Sequence, residues 1–548
     1  MRLSVVPLIL GALAALEPSG RAPARPGPAE QIEALVSSGY HPNLRWPDFS
    51  DVRADLERLY VGREWRPLWF AGDTLTSAAR MMVRVLAEAA DRGLDPADYD
   101  AGWLTAETNR PIPSGDTTLA VRIEAGLSVA AARFALALRR GRVSPITVHA
   151  TLHLPKEPFA LDSTVVQLAE SSQPNTLLKA LEPQQPHYYL LESALVRYRR
   201  LARDSALVVL PPMPRRLRPG DIYPGLPTLR RLLRLLGDDP DSLAPLALDS
   251  TYSGSVVEAV RHFQLRQGFT ADGIIGDSTR SRVLHPFDRP IRQMELTLER
   301  FRWMPRRVSM PPIIVNIPGF RLAAFSSMQS DESSMLRMNV VVGQAFKTET
   351  PVFAADMKYL IFAPYWDVPT SIALKELKPD ALKDATYLDR NHYELVRGGA
   401  VVLPWPENVR LIGQGVRIRQ TPGPYNALGG VKFVLPNDYA VYLHDTPSRS
   451  LFERSRRDAS HGCIRVADAF ALARFVLRDQ PAWTDDRIRE AMKSDTSLRV
   501  NLNHPIPVFI FYATAIAREN GDVYFYSDLY RHDRTLDRLL RRGYPYSR

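Results

Sequence analysis

A chain of 548 residues that is 45% apolar and 24% charged is too long for one ordinary core and too apolar to stay disordered, so about three domains are expected. The net charge of +10 comes from 61 Arg against nine Lys, interleaved with acidic residues and without an aromatic-basic recognition motif. That argues against nucleic acid as a partner and leaves an anionic polymer or a membrane surface as a neighbour. The lone cysteine, Cys463, excludes an intrachain disulfide and any multi-cysteine metal site.

The first segment has one basic side chain, Arg2, then a mostly apolar run from Leu3 to Leu16 and small residues towards Ala24. This run is shorter than the ~20 residues that a spanning helix takes, so residues 1–24 are predicted to be an export signal, with an uncleaved anchor as the alternative. The mature chain is then expected outside the cytoplasm, without an integral membrane span. An unpaired thiol outside the cytoplasm is exposed to oxidation, so Cys463 is expected to be either protected or used.

A helical scaffold domain is predicted over 25–220, behind a Pro/Gly/Ala-rich linker. Met82, Val85, Leu86 and Ala89 share one helix face, and the apolar run Leu119 to Val143 is predicted to be a core helix. Nothing there has catalytic spacing. A compact unit follows over 221–286, with Val256, Val257, Val260 and Phe263 at helical spacing, a stop at Gly268, and a second helix from Asp277. From about Gln293 short β-branched and aromatic runs separated by Gly, Pro and Asn predict strands. A charged helical stretch, about 366–410, interrupts them as an insertion would, and a strand/helix extension is predicted over 516–548. The fold class is therefore multidomain α+β: helical scaffold, small three-helix module, and a mainly-β domain over 293–515 with an inserted helical cap.

In DYAVYLHDT strand alternation puts Tyr442 and His444 on one face. The sixteen residues Asp445 to Ser460 are long enough to return the chain beside His444, where the turn Ser460-His461-Gly462 presents Cys463. A thiol becomes strongly nucleophilic beside an imidazole or a cation, and Gly462 permits a tight backbone approach that would aim main-chain N–H groups at an oxyanion. Read singly, Cys463 also suits a packed small hydrophobe and His444 a satisfied core histidine. A zinc site of His444, His461 and Cys463 is a further alternative, although no acidic partner lies at the usual spacing.

His444-x(15)-Ser460-His461-Gly462-Cys463-Ile464-Arg465 resembles the signature of the YkuD-type L,D-transpeptidases, and the preceding run with Arg419, Gly423, Asn426, Leu428, Gly429, Lys432, Phe433 and Asn437 is similar to the family's approach to its histidine. Phe263, Gln264, Gly268, Asp272, Gly273, Gly276 and Thr279 resemble a peptidoglycan-binding module. The domain order resembles the large periplasmic members. This resemblance implies that Cys463 is the nucleophile and His444 the general base and acid, with the Gly462 backbone and Tyr442 at the oxyanion. It further implies substrate contacts from His461, Ser460, Arg465, Asn437 and Trp366. The implied reaction forms 3→3 cross-links between peptidoglycan stem peptides, releases D-alanine and needs no cofactor and no metal. Other cell-wall enzymes are expected as partners. The same cysteine in a hydrolase, or a non-catalytic wall-binding scaffold, are the alternatives. The cap, opening at Tyr365 and Trp366, is expected to exclude water and favour amine attack.

Overall fold

The architecture was taken from a computed structural model, which describes residues 26–111, 116–155, 157–204, 209–239, 250–306, 310–327 and 333–546. The export signal expected over 1–24 lies outside the described residues. Among the described residues no helix is long and apolar enough to cross a membrane.

The scaffold is built around the helix Thr117–Arg140, which is buried on every side from Ile123 to Ala135. Its Glu124 is buried too, accepting from the Leu68 and Trp69 N–H groups at 2.6 and 2.9 Å and from the Tyr60 hydroxyl at 2.6 Å. Burial nevertheless raises its pKa above the usual carboxylate range.

The three-helix module consists of Leu226–Leu236, Ser255–Arg266 and Asp277–Leu284. Its motif residues explain their own spacing. Gln264 accepts from the Gly273 N–H at 2.8 Å and donates to Asp272, the Ile274 carbonyl and Thr279, so one side chain closes the turn. Gly273 takes φ +75°, and a Cβ there would lie 2.8 Å from Val257. The module shares its core with the scaffold helix Pro186–Arg203 and with Phe525 near the chain's end. Arg266, fully buried, donates to Asp238 at 2.7 Å and to the Val523 carbonyl at 2.7 Å, joining module and C-terminal segment.

The expectation that strands begin near Gln293 is corrected. Asp288–Trp303 is a helix, with Met294, Leu298 and Phe301 in the module-side core and Leu296 and Trp303 in the scaffold-side core. Its Glu299, Arg300 and Arg302 are buried and paired, which blurs the apolar period in the sequence.

The strands that follow are β1 (Ile313–Asn316), β2 (Arg321–Ala324), β3 (Leu336–Gly343), β4 (Phe353–Phe362), β5 (Trp366–Asp367), β6 (Tyr393–Arg397), β7 (Ala400–Val402), β8 (Val416–Gln420), β9 (Val431–Val434), β10 (Leu443–His444), β11 (Asp458–Ser460), β12 (Ile464–Val466), β13 (Leu498–Phe511), β14 (Ala515–Ala517) and β15 (Val523–Phe525). The ladder β3-β12-β10-β9-β4-β13-β1-β2 returns to β3 and closes a barrel, with β11 added in parallel to the end of β3. Closure removes exposed edges. Val431, Phe433, Leu443, Ile464 and Val466 point into its core, so their neighbours Lys432, His444 and Arg465 face outward.

Over that outer face lies the insertion. Besides helices it contains the antiparallel sheet β5-β8-β6-β7 and a small core of its own, from Val368 to Ile418, so the cap runs on to Gln420 and is mixed rather than wholly helical. Beyond the barrel, β14 and β15 pair and the helix His532–Leu540 leads the chain back to the scaffold. There Tyr544 lies under the Arg133 guanidinium, 4.4 Å from its ring centroid, and against Tyr99.

Candidate active site

β10 and β12 are parallel neighbours in which Leu443 pairs with Ile464 and His444 with Arg465. Cys463 therefore stands beside Tyr442, and His444 follows on the same outer face, its ring 5.7 Å from that of Tyr442. The two residues expected to carry chemistry are thus brought onto one face by adjacent strands, although eighteen residues separate them in the chain.

The His444 Nδ1 lies 2.5 Å from the Asp445 carbonyl, which only accepts, so Nδ1 carries the proton and Nε2 is left as the acceptor. Burial, then the charges of Arg465 and Lys432, push its pKa down to about 3, and the ring is neutral at ordinary pH. The Cys463 thiol donates to the Ala440 carbonyl at 3.6 Å. Burial raises its pKa, against hydrogen bonds from the Tyr442 main chain and phenol and the charges of Lys432 and Arg465. The resting pair is a thiol and a neutral imidazole. With iodoacetamide, the alkylation rate of Cys463 is accordingly expected to keep rising with pH beyond about 8.5, the ordinary thiol value; a plateau below it would contradict this environment.

The turn before the thiol is held from beneath. Ser460 Oγ donates to the Cys463 carbonyl at 2.5 Å and accepts from the Gly462 N–H at 3.2 Å. Gly462 sits at φ +116°, a conformation that an L side chain rarely adopts. Its carbonyl accepts from Thr350 Oγ at 2.8 Å, and the Ser460 carbonyl from Thr348 Oγ at 2.8 Å. Thr350 Oγ in turn accepts from the Gly343 N–H at 2.8 Å, and the Thr350 N–H donates at 3.3 Å to the Tyr530 hydroxyl, which itself donates to the Gly343 carbonyl at 2.6 Å. The C-terminal extension thus reaches the reacting turn through one threonine.

Several expected roles change. The Gly462 N–H is spent on Ser460 and is not left over for an oxyanion. Ser460 is buried with its hydroxyl used within the turn, and Asn437 spends its amide on the carbonyls of Leu435 and Val441 and the N–H groups of Tyr439 and Val441. Both side chains hold backbone in place. Trp366, on β5 of the cap, lies beside the Tyr442 side chain and works against the burial that raises its pKa. His461 points at the cap instead, its Nε2 2.9 Å from Glu376 in a π-helical turn. Arg465 has a buried Nε without a hydrogen-bond partner. Lys432 Nζ lies 3.8 Å from the centroid of the Tyr442 ring. Among the described residues no group of three or more His, Cys, Asp and Glu is placed to hold a metal ion.

The fold and site define a multidomain α+β protein in which a capped β-barrel carries a cysteine and a histidine on its outer face. Residues 312–492 match the family model of the L,D-transpeptidase catalytic domain, 224–283 that described as "Putative peptidoglycan binding domain", and 54–195 a scaffold domain. The chain carries a YkuD-type L,D-transpeptidase catalytic domain together with a peptidoglycan-binding domain and a helical scaffold. A protein of Haemophilus influenzae described as "Putative L,D-transpeptidase" is 32% identical over 228 residues, which are 41% of this chain. The match spans 45% of that relative's own length. The solved structure of an L,D-transpeptidase (residues 123–326) from Xylanimonas cellulosilytica is matched along all of its chain and 55% of this one, at 15% identity. With a TM-score of 0.17 that likeness carries no argument.

Proposed function

We propose that this protein is a peptidoglycan L,D-transpeptidase that forms 3→3 cross-links through a Cys463 acyl-enzyme and works in the periplasm. The observation that carries the reading is the placement of Cys463 beside Tyr442, with His444 next on the same face, all beneath the cap. Sγ would attack the carbonyl of the third stem residue, usually meso-diaminopimelate, of a tetrapeptide donor, while its proton passes to His444 Nε2. The Cys463 N–H and the Tyr442 phenol would steady the oxyanion. As the C–N bond to D-alanine breaks, Nε2–H protonates the leaving amine. The amine of a second stem then attacks the thioester, its proton returns to the thiolate by way of His444, and one peptide bond has replaced another. No outside energy source is required. The apolar N-terminal run supports export, and the peptidoglycan-binding domain supports a wall substrate.

Purified protein given a disaccharide tetrapeptide is expected to yield 3→3 dimers and free D-alanine, read by mass spectrometry, and Cys463→Ala neither. Trimmed monomers without dimers would instead establish a hydrolase, and dimers persisting in Cys463→Ala would sink the reading altogether.

A further inference from the structure

Three outward side chains stand in one row across the reaction centre. The strand register pairs Lys432 on β9 with His444 on β10, and His444 with Arg465 on β12. The base therefore sits between two cations. Neither has a carboxylate within ion-pair distance among the described residues. The other charged groups nearby are engaged elsewhere. Asp367 of the cap attracts Lys432 but pairs with Arg417 at 3.4 Å, and Glu376 pairs with His461 at 2.9 Å. Asp445 gives one oxygen to Arg449 at 2.6 Å and the other to the Gly430 N–H at 2.9 Å. Tyr442 and Cys463 are both held neutral, chiefly by burial.

Part-buried cations without a counter-charge are costly, even where, as for Lys432, an aromatic ring lies against the charge, and burial pulls both Lys432 and Arg465 below their ordinary values. The site lacks an anion. It also lacks a competent base, because an imidazolium at His444 would make a third positive charge in the row. One missing partner accounts for both.

We propose that a carboxylate of the substrate binds between Lys432 and Arg465 and thereby turns His444 into the base that deprotonates Cys463. With the anion in place, the proton leaving Sγ goes to Nε2 without adding uncompensated charge. Identifying the natural anion rests on the acyl-transfer reading: it is the carboxylate of the residue being expelled. As the C–N bond breaks, Nε2–H protonates the departing amine; that residue then takes the anion away with it and leaves His444 neutral and weakly basic again. The second half-reaction then requires an acceptor that brings its own carboxylate beside its amine, which water does not.

The lone thiol makes the test direct, since any alkylation of the full-length protein reports on Cys463. Iodoacetate and iodoacetamide each form the same Sγ–C bond and expel iodide, but only iodoacetate carries the anion. Relative to a small free thiol in the same buffer, iodoacetate is expected to gain about tenfold over iodoacetamide, the effect of one unit of basicity. Acetate at constant ionic strength is expected to accelerate iodoacetamide several-fold, and Lys432→Gln or Arg465→Gln to remove both effects. Iodoacetate without a relative advantage, or acetate without acceleration, would overturn the proposal on the unaltered protein, whatever becomes of the variants. Anion-dependent alkylation without 3→3 dimers would reject the transpeptidase and keep the gate; dimers without anion dependence would do the reverse.

Discussion

Gly343→Ala is expected to lower the turnover of the acyl transfer by about 100-fold, the penalty that a displacement of ~1 Å in a reacting constellation carries. A Cβ on Gly343 would lie 1.9 Å from the Thr348 carbonyl oxygen and 2.6 Å from the Thr350 nitrogen, both of them backbone atoms with no rotamer to escape into. The segment Thr348 to Thr350 must therefore move. It cannot do so alone, because the two threonine hydroxyls hold the carbonyls of Ser460 and Gly462. The turn that presents Cys463 moves with them. Gly276→Ala is the control, since its Cβ would meet nothing within 4 Å and its φ of −89° suits any residue. A Gly343→Ala protein that turns over within about threefold of the original would show that the turn is held by something other than these threonines.

The second large effect concerns the joint between the module and the rest. Asp238→Ala is expected to destabilise the module by roughly 3 to 5 kcal/mol, because it leaves Arg266 buried without its counter-charge. Asp238 also accepts from His262 Nδ1 at 2.8 Å, so two donors lose their acceptor together. Hydrogen exchange of the helices Leu226–Leu236 and Ser255–Arg266 is the measurement, with protection expected to fall by about two to four decades. Replacing both partners, Asp238→Leu with Arg266→Met, should restore most of it, since an apolar pair of similar volume avoids the stranded charge. Unchanged protection in Asp238→Ala would mean that the module is held by its apolar core alone.

What the sequence made legible was local. Cys463 and His444 could be paired because one loop joins them, and the Gln264 turn because its parts lie within fifteen residues. The residues that escaped come from distant chain: Thr350 meets Gly462 across 112 positions and Glu376 meets His461 across 85, and no spacing rule reaches that far. The backbone contacts of Ser460 and Asn437 were not legible for a related reason. A polar side chain beside a reactive cysteine looks substrate-facing until its hydrogen bonds are counted, and here the backbone takes them. The helix Asp288–Trp303 was hidden by its own buried charges, whose partners lie in other domains.

The contact of Tyr544 with Tyr99 bridges 445 positions and covers Arg133. The scaffold is made before this segment but cannot finish its core without it. Such long-range closure is slow, because loop entropy is spent before the contact rewards it. In the interval the catalytic turn also waits for Tyr530, which belongs to the same late segment. Order of assembly thus delays the reactive thiol: the cysteine comes under control only once the later segment that carries Tyr530 has been made.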